Sequence, residues 1–241
     1  MEKIGVNIKI PYLCRMDIQP IAHFESPLKS KFGIPRQSGL VEELRGRIVF
    51  EKPFRQPEAV RGLESFDYLW LIWEFSANKE VAPSPTVRPP RLGGNVRMGV
   101  FATRSPYRPN PLGLSCVRLD HVEWDTPQGP VIHVRGADLM DGTPIYDIKP
   151  YQGWIESHQD ADDGFVATNP WKSVKVTFEE AAMEPLPESM RETLVKILEQ
   201  DPRPSFHDDP DRIYGMSFAG YEIHFQVQEG RLTILDIQKN L

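Results

Sequence analysis

Hydrophobic positions in the first two thirds of the chain fall into short runs separated by turn-forming residues. The run Asp67–Phe75 is short and rich in aromatic side chains, which favours a buried strand over a helix. The strands predicted in this part are Ile18–Phe24, Arg47–Glu51, Asp67–Phe75, Val100–Thr103, Ser115–Trp124 and Val131–Arg135. The last two are expected to form a hairpin. Only Glu58–Leu63 indicates helix, over one or two turns, so a β-barrel or β-sandwich is predicted.

Polar segments separate these runs. Residues 29–40 and Asp138–Tyr151 are both predicted to be loops. Near the start, Ile4, Val6, Ile8 and Ile10 alternate with polar or small residues, which is typical of a short strand. We interpret residues 1–17 as an N-terminal extension.

The pattern changes after Trp154. Residues 156–211 contain 14 acidic and five basic side chains. Pro187–Gln200 has helical periodicity, whereas Tyr221–Val227 alternates with period two and Leu232–Ile237 is predicted to be its return strand. We predict a barrel domain over 18–156, a linker over 157–171 and a small α+β domain over 172–241.

Basic charge is concentrated between Val81 and Leu119. This window has no Asp, Glu or Lys, and its arginines are Arg88, Arg91, Arg97, Arg104, Arg108 and Arg118. The rest of the chain has 22 basic and 34 acidic residues. Seven prolines and four glycines restrict the backbone of the same window to a defined irregular path. Arginine presents a planar fork of donors that suits carboxylate or phosphate, so an anion-binding loop is predicted.

Several classes of protein are not supported. The longest apolar run, Tyr68–Trp73, is far shorter than the roughly 20 residues of a membrane-spanning helix. No signal peptide is visible, and two cysteines give no disulfide framework, so a cytoplasmic protein is expected. The six histidines are too scattered for a zinc site, and no glycine-rich nucleotide motif follows a strand.

Five sequence blocks carry a family resemblance. The main one runs from Val87-Arg88-Pro89-Pro90-Arg91-Leu92-Gly93-Gly94-Asn95 through Met98–Ser105 to Arg108-Pro109-Asn110-Pro111-Leu112-Gly113. The others are Glu25–Leu40, Val60–Glu64, Asp138–Pro144 and Asp147–Tyr151. In this order they resemble the tRNA methyltransferase O family, also called TsaA-like or YaeB-like, over roughly residues 18–237.

The resemblance implies a fold and a reaction. Family members have a mainly β fold, with a β-barrel that binds S-adenosylmethionine without a Rossmann domain and a C-terminal domain that helps to hold tRNA. They act as homodimers. They methylate N6 of the adenosine at position 37, next to the anticodon, when it already carries a threonylcarbamoyl group.

Candidate site residues follow from the matching positions. The resemblance implies that the cofactor is held by Ser38, Gly39, Leu40, Phe75, Ser76, Arg104, Leu114, Asp141, Gly142, Thr143 and Pro144. Phe75 and Leu114 could equally be core residues. Asp147 and Tyr151 are candidates for the proton acceptor, although an ion pair with Lys149 and simple packing would also explain them.

Contacts with the anticodon stem-loop are predicted for Arg36, Arg88, Arg91, Arg97, Tyr107 and Arg108. The arginines could bind phosphates or the threonylcarbamoyl carboxylate, and Tyr107 could stack on a splayed base. No metal is expected. Two alternatives stay open: a non-catalytic RNA-binding module and a methyltransferase that acts on a small molecule.

Overall fold

A computed structural model describes residues 17–78, 84–204 and 209–240. The strands are β1 (Ala22–Glu25), β2 (Arg45–Phe50), β3 (Tyr68–Glu74), β4 (Thr86–Val87), β5 (Met98–Gly99), β6 (Leu112–Glu123), β7 (Val131–Arg135), β8 (Thr143–Pro150), β9 (Lys175–Phe178), β10 (Ile213–Phe218), β11 (Tyr221–Gln228) and β12 (Arg231–Lys239). The α-helices are α1 (Gly153–Glu156), α2 (Phe165–Thr168), α3 (Glu180–Met183) and α4 (Glu188–Glu199). The strand predicted over residues 4–10 lies outside the described residues.

Six antiparallel strands close into a barrel in the order β1-β2-β7-β6-β3-β8. The predicted mainly β architecture is therefore confirmed, and so is the β6–β7 hairpin. Closure leaves no unpaired barrel edge. Leu69, Leu71 and Trp73 of β3 point inward on alternate residues and are buried, as the sequence pattern of this strand predicts.

Glycines admit two large rings into the barrel interior. A Cβ on Gly46 would lie 2.1 Å from the Phe24 ring, and one on Gly113 would lie 2.3 Å from the Trp73 indole. Any larger residue at these positions would have to displace a ring, so glycine is needed here for packing rather than for flexibility.

The interpretation of Asp138–Tyr151 as a loop is wrong for most of its length. Residues 143–150 form β8, which pairs with both β1 and β3 and completes the barrel. Thr143 and Ile145 are buried, whereas Lys149 is exposed. Prolines at both ends of β8 and the charges on its outer face conceal the alternation, because proline is uncommon inside strands.

The strand predicted over Val100–Thr103 is also wrong. Residues 100–102 form a single 3₁₀ turn, closed by bonds from the backbone amide and the hydroxyl of Thr103 to the Val100 carbonyl. The Val100 side chain is buried and anchors the turn, whereas Phe101 points outward. Threonine can satisfy a turn through its own side chain, which competes with strand pairing.

The C-terminal sheet has the order β10-β11-β12-β9, with β9 parallel to β12. Helix α4 covers one face through Leu194, Ile197 and Leu198, so the predicted helix and its return hairpin are confirmed. The same hydrophobic core contains Leu28, Val41 and Leu44, which flank the loop between β1 and β2. The C-terminal sheet and the barrel loop therefore share one core.

Candidate functional site

Three loops leave the barrel at one end. They join β1 to β2, β3 to β6, and β7 to β8, and the strand registers place all three beside the end of β3 and the beginning of β6 and β8. We call this end the barrel mouth and define it by residues 26–44, 75–78, 84–111 and 136–142. Most of the sequence-predicted site residues lie in these three loops.

Arg104 and the Gln37–Gly39 segment meet at the mouth. The Arg104 guanidinium donates to Gln37 Oε1 at 2.5 Å, and the Gly39 amide donates to the Gly136 carbonyl at 2.8 Å. Both Arg104 and Gly39 are exposed. No carboxylate in the described part of the chain forms an ion pair with Arg104, so its charge is available to an anionic ligand.

A buried polar chain lies beneath these residues. The Trp73 indole donates to Ser115 Oγ at 2.9 Å, and the Ser115 hydroxyl donates to Asp138 Oδ1 at 2.5 Å. Burial raises the pKa of the Asp138 carboxyl, although the bonds from Ser115 and Ser38 and the charge of Arg104 partly oppose that rise. Asp138, Ser115 and Trp73 therefore form one hydrogen-bonded chain from the β7–β8 loop into the barrel.

Apolar surface borders the same region. The Phe75 ring lies against Trp73, with 4.4 Å between ring centroids, and the Phe75 amide donates to the Pro111 carbonyl. Leu114 points out of the barrel on β6 and is 53% exposed, which excludes its interpretation as a core residue of the single chain. Phe75 is partly buried beside the barrel core.

The Asp141–Pro144 block lies on another side of the mouth. Asp141 and Gly142 line a cavity of about 630 Å³, together with polar groups of β1, β2 and β7. Asp141 Oδ1 accepts the Ser26 amide at 3.0 Å. The buried Thr143 hydroxyl donates to the Met140 carbonyl, so its side chain has no exposed surface for a ligand. Arg104 is not among the described residues that line this cavity.

The two candidate proton acceptors are not at the mouth. Asp147 lies midway along β8, where its carboxylate pairs with Lys149 at 2.9 Å. Tyr151 follows the far end of β8 and packs edge-on against Tyr68 and Trp70. At about 3.3 Å per residue, β3 separates Tyr151 from Phe75 by roughly 20 Å. Tyr151 therefore does not lie beside the mouth residues of its own chain.

Residues 84–111 of the arginine-rich window are held together by hydrogen bonds within the segment. Strands β4 and β5 pair, the Val100 amide donates to the Pro85 carbonyl, and the Arg108 guanidinium donates to the Thr103 carbonyl. Arg97 donates to the Thr86 hydroxyl at 2.7 Å. Among the described residues, none of the window's six arginines pairs with a carboxylate. The loop therefore presents uncompensated positive charge on an ordered backbone.

Arg36 and Arg91 have internal partners. The Arg36 guanidinium lies 3.6 Å from the centroid of Trp171 and donates to the carbonyls of Gln200 and Asp201 at 2.6 and 2.8 Å. Arg91 approaches the same indole and donates to the Asn169 carbonyl. Arg36 thus connects the barrel loop to the end of α4. A contact of either residue with tRNA stays a prediction.

Substitution of Arg36 by lysine is expected to lower the free energy of unfolding by about 2 kcal/mol, because lysine cannot serve two carbonyls and a stacked indole at once. Urea unfolding followed by tryptophan fluorescence would measure the change. Arg88→Lys is the matched control, since Arg88 is exposed. An unchanged midpoint for Arg36→Lys would contradict the structural role.

Two residues at the mouth escaped the sequence reasoning. Asp138 stands in a recognised block, but only its contact with Ser115, 23 positions away, reveals its environment. Phe101 is 79% exposed at the tip of its 3₁₀ turn. An aromatic residue between two glycine- and proline-rich stretches could have indicated an exposed loop position. The segment was instead predicted to be a strand.

Neither a metal centre nor a membrane span is found where the chain is described. Residues 17–78, 84–204 and 209–240 contain no cluster of three or more potential metal ligands. None of the helices in those ranges has the length and apolar character needed to cross a bilayer.

The chemistry of the mouth fits S-adenosylmethionine. Arg104 with Gln37 can bind a carboxylate, and Phe75 and Leu114 offer apolar surface. Gly39 and Gly142 have positive φ values of 81° and 74°, and the space that a Cβ would take is open at both. A ligand can therefore approach the backbone closely at two points.

Comparisons with known proteins identify the family of this chain. Residues 23–157 match the model of the tRNA-methyltransferase O N-terminal domain, and residues 172–240 match that of the TrmO C-terminal domain. An Escherichia coli tRNA (adenine(37)-N6)-methyltransferase is 36% identical over 228 residues, which span 91% of this chain and 97% of that protein.

Two Pseudomonas aeruginosa proteins are also similar. One, provisionally named an S-adenosylmethionine-dependent methyltransferase, is 37% identical over 91% of this chain and 96% of its own length. The other is TrmO, whose crystal structure superposes with a TM-score of 0.76 at 32% identity, covering 95% of this chain and 99% of that one. The chain therefore belongs to the tRNA-methyltransferase O family.

Proposed function

We propose that this protein is an S-adenosylmethionine-dependent methyltransferase that modifies N6 of adenine 37 in tRNA. The observation that carries the proposal is the convergence of three loops at the barrel mouth, where Arg104, Gln37 and Phe75 lie beside an ordered, arginine-rich loop. Full-length similarity to proteins named for this activity supports it. The proposed site of action is the cytoplasm, where tRNA is found.

Transfer of a methyl group requires little chemistry from the protein. When bound, S-adenosylmethionine supplies an electrophilic methyl group on a sulfonium. The protein's part is to hold the two reactants in line, which by itself accounts for much of the rate enhancement in such reactions. Arg104 and Gln37 would fix one end of the cofactor, and the backbone at Gly39 and Gly142 would approach it closely.

The adenine N6 must also lose a proton. Asp147 and Tyr151 remain the proposed acceptors: Asp147 pairs with Ile72 of β3, which also pairs with Leu114, whereas Tyr151 follows the far end of β8. We propose that the protein works as a homodimer, because an exposed leucine at position 114 offers apolar surface next to the site. Analytical ultracentrifugation at micromolar concentration would measure the assembly state.

Recognition of the earlier modification is assigned to the arginine-rich loop. A threonylcarbamoyl group carries a carboxylate, and the exposed Arg88 and Arg97 form no ion pair among the described residues. Methylation rates on tRNA with and without the group, for wild type and for Arg88→Ala and Arg97→Ala, test this assignment. If every variant keeps the wild-type preference, these arginines are not its source.

The activity itself is tested with an anticodon stem-loop that carries threonylcarbamoyl-adenosine at position 37. Incubation with S-adenosylmethionine is expected to add one methyl group, which mass spectrometry of the digested nucleosides would locate on N6. Tight RNA binding without transfer would favour the non-catalytic RNA-binding module. Transfer only to a small molecule would favour the other alternative.

Phe101→Ala is expected to weaken binding of the stem-loop about tenfold, because base–aromatic stacking contributes roughly 1–3 kcal/mol per base. The ring is 79% exposed on a 3₁₀ turn that the buried Val100 anchors, and it lies between Arg97 and Arg104 in the sequence. Fluorescence anisotropy with labelled stem-loop would measure affinity. Trp154→Ala is the matched control, since Trp154 is 83% exposed but belongs to α1, beyond the far end of β8. Equal losses in both variants would contradict a specific role for Phe101.

A further inference from the structure

Trp171, the last residue of the predicted linker, lies where separate segments of the chain meet. The Arg36 guanidinium stacks on its half-buried indole, with 3.6 Å between Cζ and the ring centroid. The Arg91 guanidinium lies 5.2 Å from the same centroid, within the range of a cation–π interaction. Arg36 comes from the β1–β2 loop and Arg91 from the arginine-rich loop. One aromatic ring therefore lies against two of the three loops of the barrel mouth.

Hydrogen bonds hold the same two guanidinium groups at their edges. Arg36 donates to the carbonyls of Gln200 and Asp201, just after α4, at 2.6 and 2.8 Å. Arg91 donates to the Asn169 carbonyl at 3.1 Å. A planar guanidinium with carbonyl acceptors at its edge and an aromatic ring against its face has little freedom left. The Arg36 backbone is therefore restrained through its own side chain.

Two hydrogen bonds lead from Arg36 to the proposed cofactor site. The Gln37 side chain donates from Nε2 to the Arg36 carbonyl at 2.5 Å, and its Oε1 accepts the Arg104 guanidinium at 2.5 Å. Only the nitrogen of a side-chain amide can donate to a carbonyl, so the first bond determines that the oxygen faces Arg104. A reversed amide would turn its donors toward a cation. The position of Arg36 thus determines the orientation of the group that holds Arg104.

We infer that Trp171 is a positioning residue for the cofactor site: it holds Arg36 so that Gln37 presents its amide oxygen to Arg104. This inference rests on the proposed function, in which Arg104 binds the carboxylate of S-adenosylmethionine. An arginine whose orientations are restricted before the ligand arrives needs less ordering on binding. Because Trp171 acts through Arg36 and Gln37, it is not itself a catalytic residue.

Trp171→Leu and Trp171→Phe separate the aromatic face from simple packing. Both new side chains are apolar, but only phenylalanine offers a π face to a guanidinium. Titration calorimetry with S-adenosylmethionine is expected to show about fivefold weaker binding for Trp171→Leu, the size expected when one cation–π contact no longer holds the site. Binding by Trp171→Phe is expected to stay within about twofold of wild type. Unchanged affinity for Trp171→Leu, or equal losses in both variants, would overturn the inference.

A double-mutant cycle shows whether the effect passes through Arg104. Since Trp171 is inferred to act on the ligand only through that guanidinium, Trp171→Leu is expected to cause no further loss of affinity in a protein that already carries Arg104→Ala. Cofactor at millimolar concentration keeps the weakened binding measurable. A general loosening of the fold would weaken binding by the same factor in both backgrounds, and that result would also contradict the positioning role.

The matched control is Trp124→Leu, because Trp124 follows the far end of β6 and its indole donates to Glu64. Its affinity for S-adenosylmethionine is expected to equal that of wild type. If Trp171→Leu does not fold, ring-fluorinated tryptophan at position 171 replaces it, because fluorine weakens the attraction of the ring face for a cation and nearly keeps the volume. If wild-type protein fails to bind S-adenosylmethionine, the proposed function fails. If it binds and the cycle is additive, only the positioning role fails.

Discussion

Replacement of Arg104 by alanine is expected to weaken S-adenosylmethionine binding about 100-fold, from the loss of a charge-assisted bond worth roughly 3 kcal/mol. The side chain is exposed and donates a hydrogen bond to Gln37. Its removal is therefore expected to lower the affinity for the ligand and to leave the free energy of unfolding nearly unchanged. Titration calorimetry would give the dissociation constant, and thermal unfolding would give the midpoint.

Arg118→Ala is the control for this variant. Arg118 belongs to the same basic window but lies on the outer face of strand β6, opposite Tyr68 of β3 and Arg135 of β7, and not in one of the three mouth loops. If net charge alone attracted the ligand, both substitutions would weaken binding similarly. A dissociation constant for Arg104→Ala within threefold of wild type would remove Arg104 from the cofactor site and, with it, the main support for the proposed geometry.

Phe225→Ala is expected to lower the free energy of unfolding by about 3–5 kcal/mol, as is usual for loss of a fully buried aromatic ring. The ring is inaccessible to solvent and stacks against Tyr214 at 5.5 Å and Phe32 at 6.2 Å between centroids. Phe32 lies in the β1–β2 loop, so the cavity would open beneath a segment that leads to the mouth. Urea unfolding followed by circular dichroism would measure the change.

Ile213→Ala provides the comparison, since Ile213 is 59% exposed on the neighbouring strand β10 and pairs with Gln226. Its substitution is expected to change stability by less than about 0.5 kcal/mol. A loss below about 1 kcal/mol for Phe225→Ala would mean that the site collapses without forming a cavity, and would contradict the packing described for this core.

The sequence correctly predicted those strands and helices that local residue patterns determine. Strand β3 is a short, continuous apolar run rich in aromatic residues, and Val131–Arg135 has the bounds that the structure gives to β7. Strand β8 could not be predicted in the same way, because its two prolines and its outward charges resemble a loop, and pairing with β1 and β3 overrides that local preference. The Val100 turn was missed since a threonine bond, not hydrophobic alternation, determines it.

The sequence indicated which loops meet at the barrel mouth but not which side chains contact each other there. The matching blocks indicated which loops matter, and the barrel topology brings those loops to one end. The partner of Arg36 lies 164 positions away, and that of Ser115 lies 23 positions away in another loop. No local pattern encodes such pairs. Sequence reasoning therefore could not show that the Arg36 guanidinium has partners within the chain, and its contact with tRNA stays a prediction.

The shared core has a thermodynamic consequence for the molecule as a whole. Leu28 and Val41 bracket the Gln37–Gly39 segment and are both buried among residues of the C-terminal sheet. Any opening of the core that releases a ligand held by this segment must also overcome the binding free energy of that ligand. Binding of a ligand at the mouth is therefore expected to slow amide exchange in β11, although no ligand atom need approach that strand.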